Sequence, residues 1–381
     1  MGLGKASVRV WLRRPRVRAL SPGEAAAAGL KKPGEGVLLR RMVSRMAIQF
    51  LEWSRRRVAF DVVGDGPFLV APAWWVSHLE EEATDPQYTR FWRDLADGYT
   101  LVRYDRLGVG LSDREVGPDD FTLDAEVACL QALLDHLGVE RVTLIGGSSG
   151  GCTAIRFAAR HQDRVERLIL YGAYARGVDV AQADVRAAVV GAVRSHWGLG
   201  SRLLAQIFLG DEAGGAQARF AHLQRESADA ETAARLLEFV YGVDVSEDVP
   251  TVVAPAVVVH RRSDRAVPYA LGRALAAALP AATFVPLAGR AHLPWYEDAD
   301  SVVRACRGIS TPRAGADSRL LSKRERQVLG LVARGLTDEE IAEQLVLSRH
   351  TVHRHVANVR RKLGSTSRSA AVAEAARLGL L

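Results

Sequence analysis

The chain has 381 residues, 48% of them hydrophobic, which is enough for two or three domains with cores of their own. It contains no run of about eighteen apolar residues, so we expect no membrane-spanning helix. Its three cysteines lack metal-ligand spacing, which indicates free thiols in a reducing, cytoplasmic compartment and no metal site. We expect no cofactor.

The net charge of +7 is unevenly distributed along the sequence. Residues 1–46 carry +9 and residues 318–381 carry +6, so the stretch between them carries −8. An acidic centre between basic ends argues against a uniform nucleic-acid-binding surface. It indicates instead that one small basic module binds a polyanion.

Residues 1–47 are rich in Arg, Gly, Pro and Ala and lack hydrophobic periodicity, so we expect a disordered basic extension. They contain no apolar segment typical of a signal peptide. An arm that touches DNA is one interpretation, and the composition favours the other, a dispensable extension. Met42 and Met46 directly precede the globular pattern, which leaves translation from either of them as a further hypothesis.

From residue 48 onward, short apolar strands alternate with helical patterns. This alternation predicts an α/β fold, a mostly parallel sheet covered by helices on both faces. Gly64–Pro67, between the first two strands, is typical of a hairpin turn. The predicted strands are Arg57–Val63, Phe68–Ala71, Thr100–Tyr104, Val142–Ile145, Arg167–Tyr171, Ala256–His260 and Thr283–Leu287, and the helices include Leu123–Leu137 and Tyr269–Leu279.

The pattern divides the chain into two domains, at residues 48–307 and 319–381. In the first, residues 175–250 or so are helical and Ala-rich and lie between two predicted strands, so they would form an inserted lid over the strand ends. Residues 308–318 are short and polar and read as a linker.

The stretch Gly146–Gly151 follows an apolar strand and precedes a helical pattern, the setting of a G-x-S-x-G nucleophile elbow. Such a turn exposes the serine hydroxyl at a helix N-terminus, where the dipole favours developing negative charge. Two frames fit, with Ser148 or Ser149 as nucleophile. We favour Ser148 because Gly146 directly ends the apolar run. A plain Gly/Ser turn is the alternative interpretation of the motif by itself.

A serine nucleophile needs a base, and the base needs an anion that orients it. In sheet-based hydrolases these partners follow in the order Ser, Asp or Glu, His. Asp264 lies just after one predicted strand and His292 just after the next. The order and the placement together predict a Ser148–Asp264–His292 triad.

Residues 48–306 resemble the α/β-hydrolase fold family. The motifs that carry the resemblance are a D-x-R-G-x-G-x-S-D-like turn, a G-H-S-x-G-G-like elbow, an acid loop and a base loop, at Arg103–Asp113, Gly146–Gly151, Ser263–Pro268 and Gly289–His292. The elbow motif also selects Ser148. The chain departs from the family at Leu107, where Arg is usual, and at Gly147, where His is usual.

The strand before Pro72 is also not followed by the usual His-Gly pair. The resemblance implies an oxyanion hole made of the backbone N–H of Ser149 and one from Trp74 or Trp75. Those two tryptophans, with Trp295 and Tyr296, flank the proposed site, which suits an apolar ligand. Packing within the core is the alternative role for some of these rings.

The last 60 or so residues predict four short helices with recognisable ends. Ser322–Glu325 and Thr337–Glu340 are capping boxes, and Gly335 and Gly364 stand where helices end. A three-residue turn between the second and third helices predicts a helix-turn-helix. The third helix has an apolar stripe, which must pack inward, at Val352, Val356, Val359 and Leu363. The predicted helices are Lys323–Arg334, Asp338–Leu345, Arg349–Leu363 and Arg368–Leu378.

This segment resembles the LuxR-type helix-turn-helix through Leu321–Leu329, Glu340–Ala342 and Ser348–Val356. The resemblance implies binding to double-stranded DNA by a homodimer on a two-fold site. It also implies that some side chains of the third helix face bases, namely His353, Arg354 and Ala357. Others would hold phosphates, namely Thr351, Asn358, Arg361 and Lys362.

Three functional hypotheses follow. The first is a transcriptional regulator whose hydrolase-like domain binds, and slowly hydrolyses, a small apolar ester or lactone. The second is an active serine esterase or lactonase with a secondary DNA-binding tail. The third is a regulator that uses the hydrolase fold only for dimerisation, which the complete triad disfavours.

Overall fold

The computed structural model describes residues 47–210, 215–308, 323–345, 347, 349–362, 365 and 367–377. The described residues form two compact units, one that extends to Gly308 and one that begins at Lys323. The predicted N-terminal extension up to residue 46 and the predicted linker from residue 309 lie outside the described residues.

Within the described part of the first unit, eight strands form one sheet in the order β1-β2-β4-β3-β5-β6-β7-β8. β1 and β2 pair antiparallel, as do β2 and β4, and all the other neighbours are parallel, which confirms the predicted fold class. The strands are β1 (Gln49–Trp53), β2 (Arg56–Val63), β3 (Phe68–Ala71), β4 (Thr100–Tyr104), β5 (Val142–Gly147), β6 (Val165–Tyr171), β7 (Ala256–Arg261) and β8 (Ala282–Leu287).

Helices cover both faces of the sheet, and four of them, α5 to α8, follow one another between β6 and β7. No helix in the ranges described is both long and apolar enough to cross a bilayer. The helices of the first unit are α1 (Leu79–Glu82), α2 (Pro86–Leu95), α3 (Leu123–His136), α4 (Ser149–Arg160), α5 (Ala183–Ser195), α6 (Trp197–Leu209), α7 (Ala216–Ser227), α8 (Ala230–Gly242), α9 (Tyr269–Ala278) and α10 (Ala299–Arg307).

The core has two apolar layers, one on each face of the sheet. Successive strand residues alternate between them, so Leu144 packs in one layer and Ile145 in the other. The first layer includes Leu130 of α3 and Phe157 of α4. The second includes Phe91 of α2 together with the inner faces of α5 to α8. The sheet is therefore buried on both sides, as a parallel sheet must be.

The predicted hairpin at Gly64–Pro67 is wrong, because β4 lies between β2 and β3. Thr100 at the start of β4 donates its backbone N–H to Pro67 O (2.8 Å) and its hydroxyl to Gly66 O (2.6 Å). The hairpin that does form joins β1 to β2 through Ser54 and Arg55, whose φ values are 52° and 64°. Positive φ in such a turn usually selects Asn or Gly, so this sequence did not predict it.

The second unit contains four described helices. Among them, α12 and α13 are separated by three residues, as the helix-turn-helix prediction requires. The Thr337 capping box is confirmed, since Glu340 N–H donates to Thr337 Oγ1 (3.3 Å) and Thr337 N–H to Glu340 Oε2 (2.7 Å). The other predicted box, at Ser322–Glu325, and Gly364 lie outside the described atoms. The helices are α11 (Lys323–Ala333), α12 (Asp338–Leu345), α13 (Arg349–Lys362) and α14 (Arg368–Arg377).

The Arg103 guanidinium in β4 is buried and pairs with the Asp61 carboxylate of β2, which has no exposed side-chain surface. Removing one partner of a buried pair leaves the other charge without its counterion. We therefore expect Asp61→Asn to lower the free energy of unfolding by roughly 3–5 kcal/mol, measured by urea denaturation. Asp300→Asn breaks the exposed Arg90–Asp300 pair and should cost about 1 kcal/mol or less. Equal losses for the two variants would contradict this account.

Candidate functional site

Ser148 lies in the tight turn between β5 and α4, with φ 49° and ψ −129°. A residue with a side chain rarely adopts this conformation, and such strain concentrates at functional sites. The turn leaves no room at Gly146, where a Cβ would lie 2.6 Å from Gly150 O. The backbone N–H of Ser148 donates to Tyr171 O at the end of β6 (3.0 Å). The geometry is that of a nucleophile elbow.

The other candidate frame places the nucleophile at Ser149, the first residue of α4. This side chain is fully buried, and its hydroxyl donates to the carbonyl of Trp74. The Ser149 hydroxyl therefore links the first turn of α4 to the loop after β3 by a hydrogen bond. The geometry favours Ser148 over Ser149.

Asp264 and His292, in the loops after β7 and β8, are brought together by the fold. His292 Nδ1–H donates to Asp264 Oδ2 (2.8 Å), while Asp264 Oδ1 accepts from the backbone N–H of Ala266 (2.9 Å) and Val267 (3.1 Å). Burial by itself would raise the pKa of Asp264, but the His292 ring and these hydrogen bonds hold the pKa below its ordinary value. Asp264 thus stays ionised, which is the state that the predicted triad requires of its acid.

Ser148 and His292 lie beside the same strand end. The backbone N–H of Ser148 is hydrogen-bonded to the carbonyl of Tyr171. The next residue along that strand end, Gly172, lies against His292, since a Cβ added to Gly172 would be 2.9 Å from Cε1 of the imidazole. Among the described residues, however, no hydrogen bond joins the Ser148 hydroxyl to the imidazole. Phe208 of α6 stacks on that ring at 5.2 Å, and its carbonyl accepts from His292 N–H (2.6 Å). The acid and base are thus paired, and the serine is adjacent but not hydrogen-bonded to the base.

The predicted oxyanion donors are the backbone N–H groups of Ser149, Trp74 and Trp75. No described residue accepts a hydrogen bond from any of the three. The Trp74 indole lies against Gly147, where a Cβ would come within 2.4 Å of ring carbons. This contact explains why glycine replaces the histidine usual in the resembling family, since the indole fills that space.

Two small cavities share part of their walls, and Trp74, which contacts the elbow at Gly147, lines the inner one. The inner cavity, about 60 Å³, is lined mainly by Trp74, Trp75, Tyr88, Trp92 and Trp295. The outer cavity, about 70 Å³, is lined by Tyr296 and by exposed residues of α7.

Of the predicted pocket residues, Trp295 thus lines both cavities, whereas Tyr296 lines only the outer one. The Tyr296 hydroxyl donates a hydrogen bond to Asp85 (2.6 Å). A larger open cleft of about 790 Å³ is lined by Arg156, Arg235 and Asp244, among others, and contains none of the predicted site residues.

Arg261, the last residue of β7, is a site residue that the sequence analysis missed. It is fully buried, and its guanidinium donates to the carbonyls of Ala291 (2.8 Å) and Tyr296 (2.6 Å), with Glu297 3.5 Å away. Arg261 therefore anchors both ends of the loop that carries His292. The predicted strand ends one residue earlier, at His260, which places Arg261 in the loop that follows, where a charged side chain is normally exposed.

The candidate nucleic-acid interface is the outer face of α13. Val352, Val356 and Val359 are buried, as predicted, whereas His353 and Ala357 are exposed. Thr351 is half-buried, Arg349 pairs with Glu339 (3.1 Å), and His353 Nδ1 lies 3.4 Å from Asp338. The side chains of four predicted contact residues, and all of Leu363, lie outside the described atoms: Arg354, Asn358, Arg361 and Lys362.

In the part of the chain that the structure describes, no group of three or more His, Cys, Asp or Glu side chains could hold a metal ion. The three cysteines are buried, and burial raises the pKa of each thiol above its ordinary value.

Comparison with known families identifies both units. Residues 81–195 match the alpha/beta hydrolase fold, and residues 319–375 match the bacterial regulatory proteins, luxR family. A solved enol-lactonase from Burkholderia xenovorans LB400 is similar to the first unit, with 25% identity and a TM-score of 0.58 over 67% of this chain and 97% of the lactonase.

Two relatives are similar in sequence. The spore germination protein GerE of Bacillus subtilis is 47% identical over 62 residues, which are 16% of this chain and 84% of that protein. A Mycobacterium tuberculosis protein without an assigned activity is 32% identical over 133 residues, 35% of this chain. The match covers only 37% of the length of that mycobacterial relative. The chain therefore belongs to the bacterial regulatory proteins of the luxR family through its C-terminal DNA-binding domain, which it joins to a domain of the alpha/beta hydrolase fold.

Proposed function

We propose that this protein is a ligand-responsive transcriptional regulator. Its hydrolase-fold domain binds a small, largely apolar ester or lactone at Ser148, and its luxR-family domain binds operator DNA as a homodimer. One observation carries the proposal: the chain that holds a DNA-binding domain also keeps an ionised Asp264 hydrogen-bonded to His292 beside a strained serine. A site with no chemical role would not need to retain these features.

In the proposed reaction, Ser148 Oγ attacks the ligand carbonyl while Nε2 of His292 takes the hydroxyl proton. Asp264 stabilises the resulting imidazolium. The backbone N–H groups of Ser149 and of Trp74 or Trp75 would stabilise the oxyanion. His292 then returns the proton to the leaving alkoxide, and water hydrolyses the acyl-serine. The step requires the Ser148 hydroxyl to come within hydrogen-bond distance of His292, so we expect slow turnover.

Slow turnover suits a regulator because a ligand that persists in the site can hold one conformational state. The name of the similar enol-lactonase supports the ester or lactone class. The apolar, aromatic walls of the inner cavity support a ligand with little charge.

The second candidate is an active serine esterase or lactonase with a secondary DNA-binding tail. The complete hydrogen bonding of Asp264 favours it, because both carboxylate oxygens are engaged as catalysis requires. The two candidates differ in the turnover number and in whether the ligand changes DNA affinity.

Ser148→Ala should reduce the hydrolysis of p-nitrophenyl acetate by the full-length protein at least ~10³-fold, because the nucleophile is lost. The release of p-nitrophenolate measures the rate, and labelling by a fluorophosphonate, followed by mass spectrometry, reports the nucleophile directly. Ser149→Ala tests the other frame and should retain labelling at Ser148. Labelling of Ser149, or unchanged hydrolysis by Ser148→Ala, would exclude Ser148 as the nucleophile.

Lys362→Ala should weaken binding to a mixed-sequence DNA duplex and reduce the slope of log affinity against log salt by about 0.9, because one phosphate contact is lost. Arg354→Ala should instead relax sequence preference at one base pair, at a cost of ~1–3 kcal/mol. Fluorescence anisotropy across a salt series measures both quantities.

Arg90→Ala is the matched control for these two variants. It removes an exposed positive charge from the hydrolase-fold unit and should leave the salt slope unchanged. A slope that stays the same in Lys362→Ala would remove this side chain from the DNA interface.

A further inference from the structure

Glu82, the last residue of α1, is a carboxyl group buried in an apolar wall of the hydrolase-fold unit. Only 8% of its surface is exposed, and it lines both the inner and the outer cavity. Its Oε2 accepts a hydrogen bond from the Tyr88 hydroxyl (3.2 Å). The two cavities also share Phe220 and Trp295. Glu82 therefore belongs to the wall that separates the two cavities.

The inner cavity adjoins the elbow through one side chain. Trp74 lines the cavity, and its indole lies against Gly147, next to Ser148. The same indole packs near Tyr171 (ring centroids 6.3 Å apart) and Trp295 (6.1 Å). Trp74 therefore forms the wall between the elbow and the inner cavity, and a ligand held at Ser148 would reach the cavity at this side chain.

The wall of the inner cavity already contains a positive charge. The Arg103 guanidinium lines it, is paired with Asp61, and lies 5.3 Å from the centre of the Tyr88 ring and 6.0 Å from that of Trp92. The faces of the Tyr88 and Trp92 rings therefore already contact a cation, the Arg103 guanidinium. Because Asp61 already neutralises Arg103, neither a cationic nor an anionic ligand gains a counterion from this pair, so the charge distribution favours an uncharged ligand.

The protonation of Glu82 follows from its surroundings. Burial raises its pKa to about 8, and Asp105 adds to the effect, while Arg103 and hydrogen bonds from Tyr88 and the His78 backbone act in the opposite direction. At neutral pH the group is therefore mostly a neutral carboxyl with an O–H to donate. The charged and titratable groups that surround it are His78, Tyr88, Arg103 and Asp105, with Glu81, Asp85, Arg219 and His222 around the outer cavity.

We infer that the inner cavity is a binding subsite for the end of the ligand remote from Ser148, and that Glu82 donates a hydrogen bond to an oxygen acceptor there. The ligand class is a compact, uncharged ester or lactone with a second oxygen, such as a keto, ether or amide group. The inference rests on the proposed function, because the carbonyl end is placed at Ser148. A donor in an apolar cavity discriminates well, since a ligand without the acceptor leaves it unpaired.

The test compares two methyl esters of equal chain length, methyl 4-oxopentanoate and methyl pentanoate. Full-length protein with Ser148→Ala prevents turnover, and the fluorescence of the tryptophans that line the cavity reports binding. We expect the oxo ester to bind about tenfold more tightly at pH 7. Glu82→Leu should abolish the preference, Glu82→Gln should keep part of it through the amide N–H, and Glu80→Gln, an exposed neighbour, should keep all of it.

The preference should fall as the pH rises through about 8, because an ionised Glu82 can no longer donate. Glu82→Gln should remove this pH dependence. The inference would be overturned, while the proposed function stands, if the Ser148→Ala protein with Glu82 intact bound both esters equally. Tighter binding of a methyl ester with an ammonium group at its far end would overturn it in the same way. No binding of any ester would contradict the proposed function as well.

Stability gives a readout that does not depend on a ligand. An unfolded carboxyl loses its proton near pH 4.5, whereas folded Glu82 keeps it to about pH 8. The folded state therefore binds more protons in this window, and the free energy of unfolding contributed by Glu82 decreases as the pH rises through it. Urea denaturation should show a flatter decrease for Glu82→Gln than for the parent. Identical pH profiles would mean that folded Glu82 is ionised, which also overturns the inference.

Discussion

The strained turn at Ser148 is the constraint on which the rest of the site depends. A residue with φ 49° between β5 and α4 leaves no space for a side chain at Gly146, and the lack of a side chain at Gly147 lets the Trp74 indole lie against the turn. The buried Ser149 hydroxyl then donates a hydrogen bond to the Trp74 carbonyl. One turn thereby fixes the loop after β3, which forms much of the inner cavity wall and supplies the proposed oxyanion donors.

The sequence predicted the features of this fold that depend on local pattern. Apolar runs located the strands, and because parallel strands present their C-terminal ends at one edge, the loops after β7 and β8 brought Asp264 and His292 within 2.8 Å. The prediction failed where the partner of a segment is distant in sequence. Nothing near Gly64–Pro67 indicates that β4 inserts between the strands it joins. The burial of Arg261 depends likewise on carbonyls about thirty residues away.

The DNA-binding unit was easier to predict, for a physical reason. Helix caps, a three-residue turn and an apolar stripe are all set within a few residues, and the small core around Val352 and Ile341 needs only those local features to form. The bases that such a unit contacts depend instead on individual long side chains, and no local pattern of caps or apolar residues determines which bases these are. The fold of the unit thus follows from local sequence, whereas its specificity does not.

The position of Phe208 would link the proposed chemistry of the site to the proposed regulation. Its ring stacks on the His292 imidazole and its carbonyl accepts from the backbone N–H of the same residue, so a displacement of α6 would either move His292 or break these contacts. A carbonyl ligand at Ser148 needs His292 close to the serine hydroxyl, a contact that the described structure does not make. Under the proposed function, ligand affinity would then depend on the position of α6. A difference of that kind is what a ligand requires in order to shift a conformational equilibrium, whether or not it is afterwards hydrolysed.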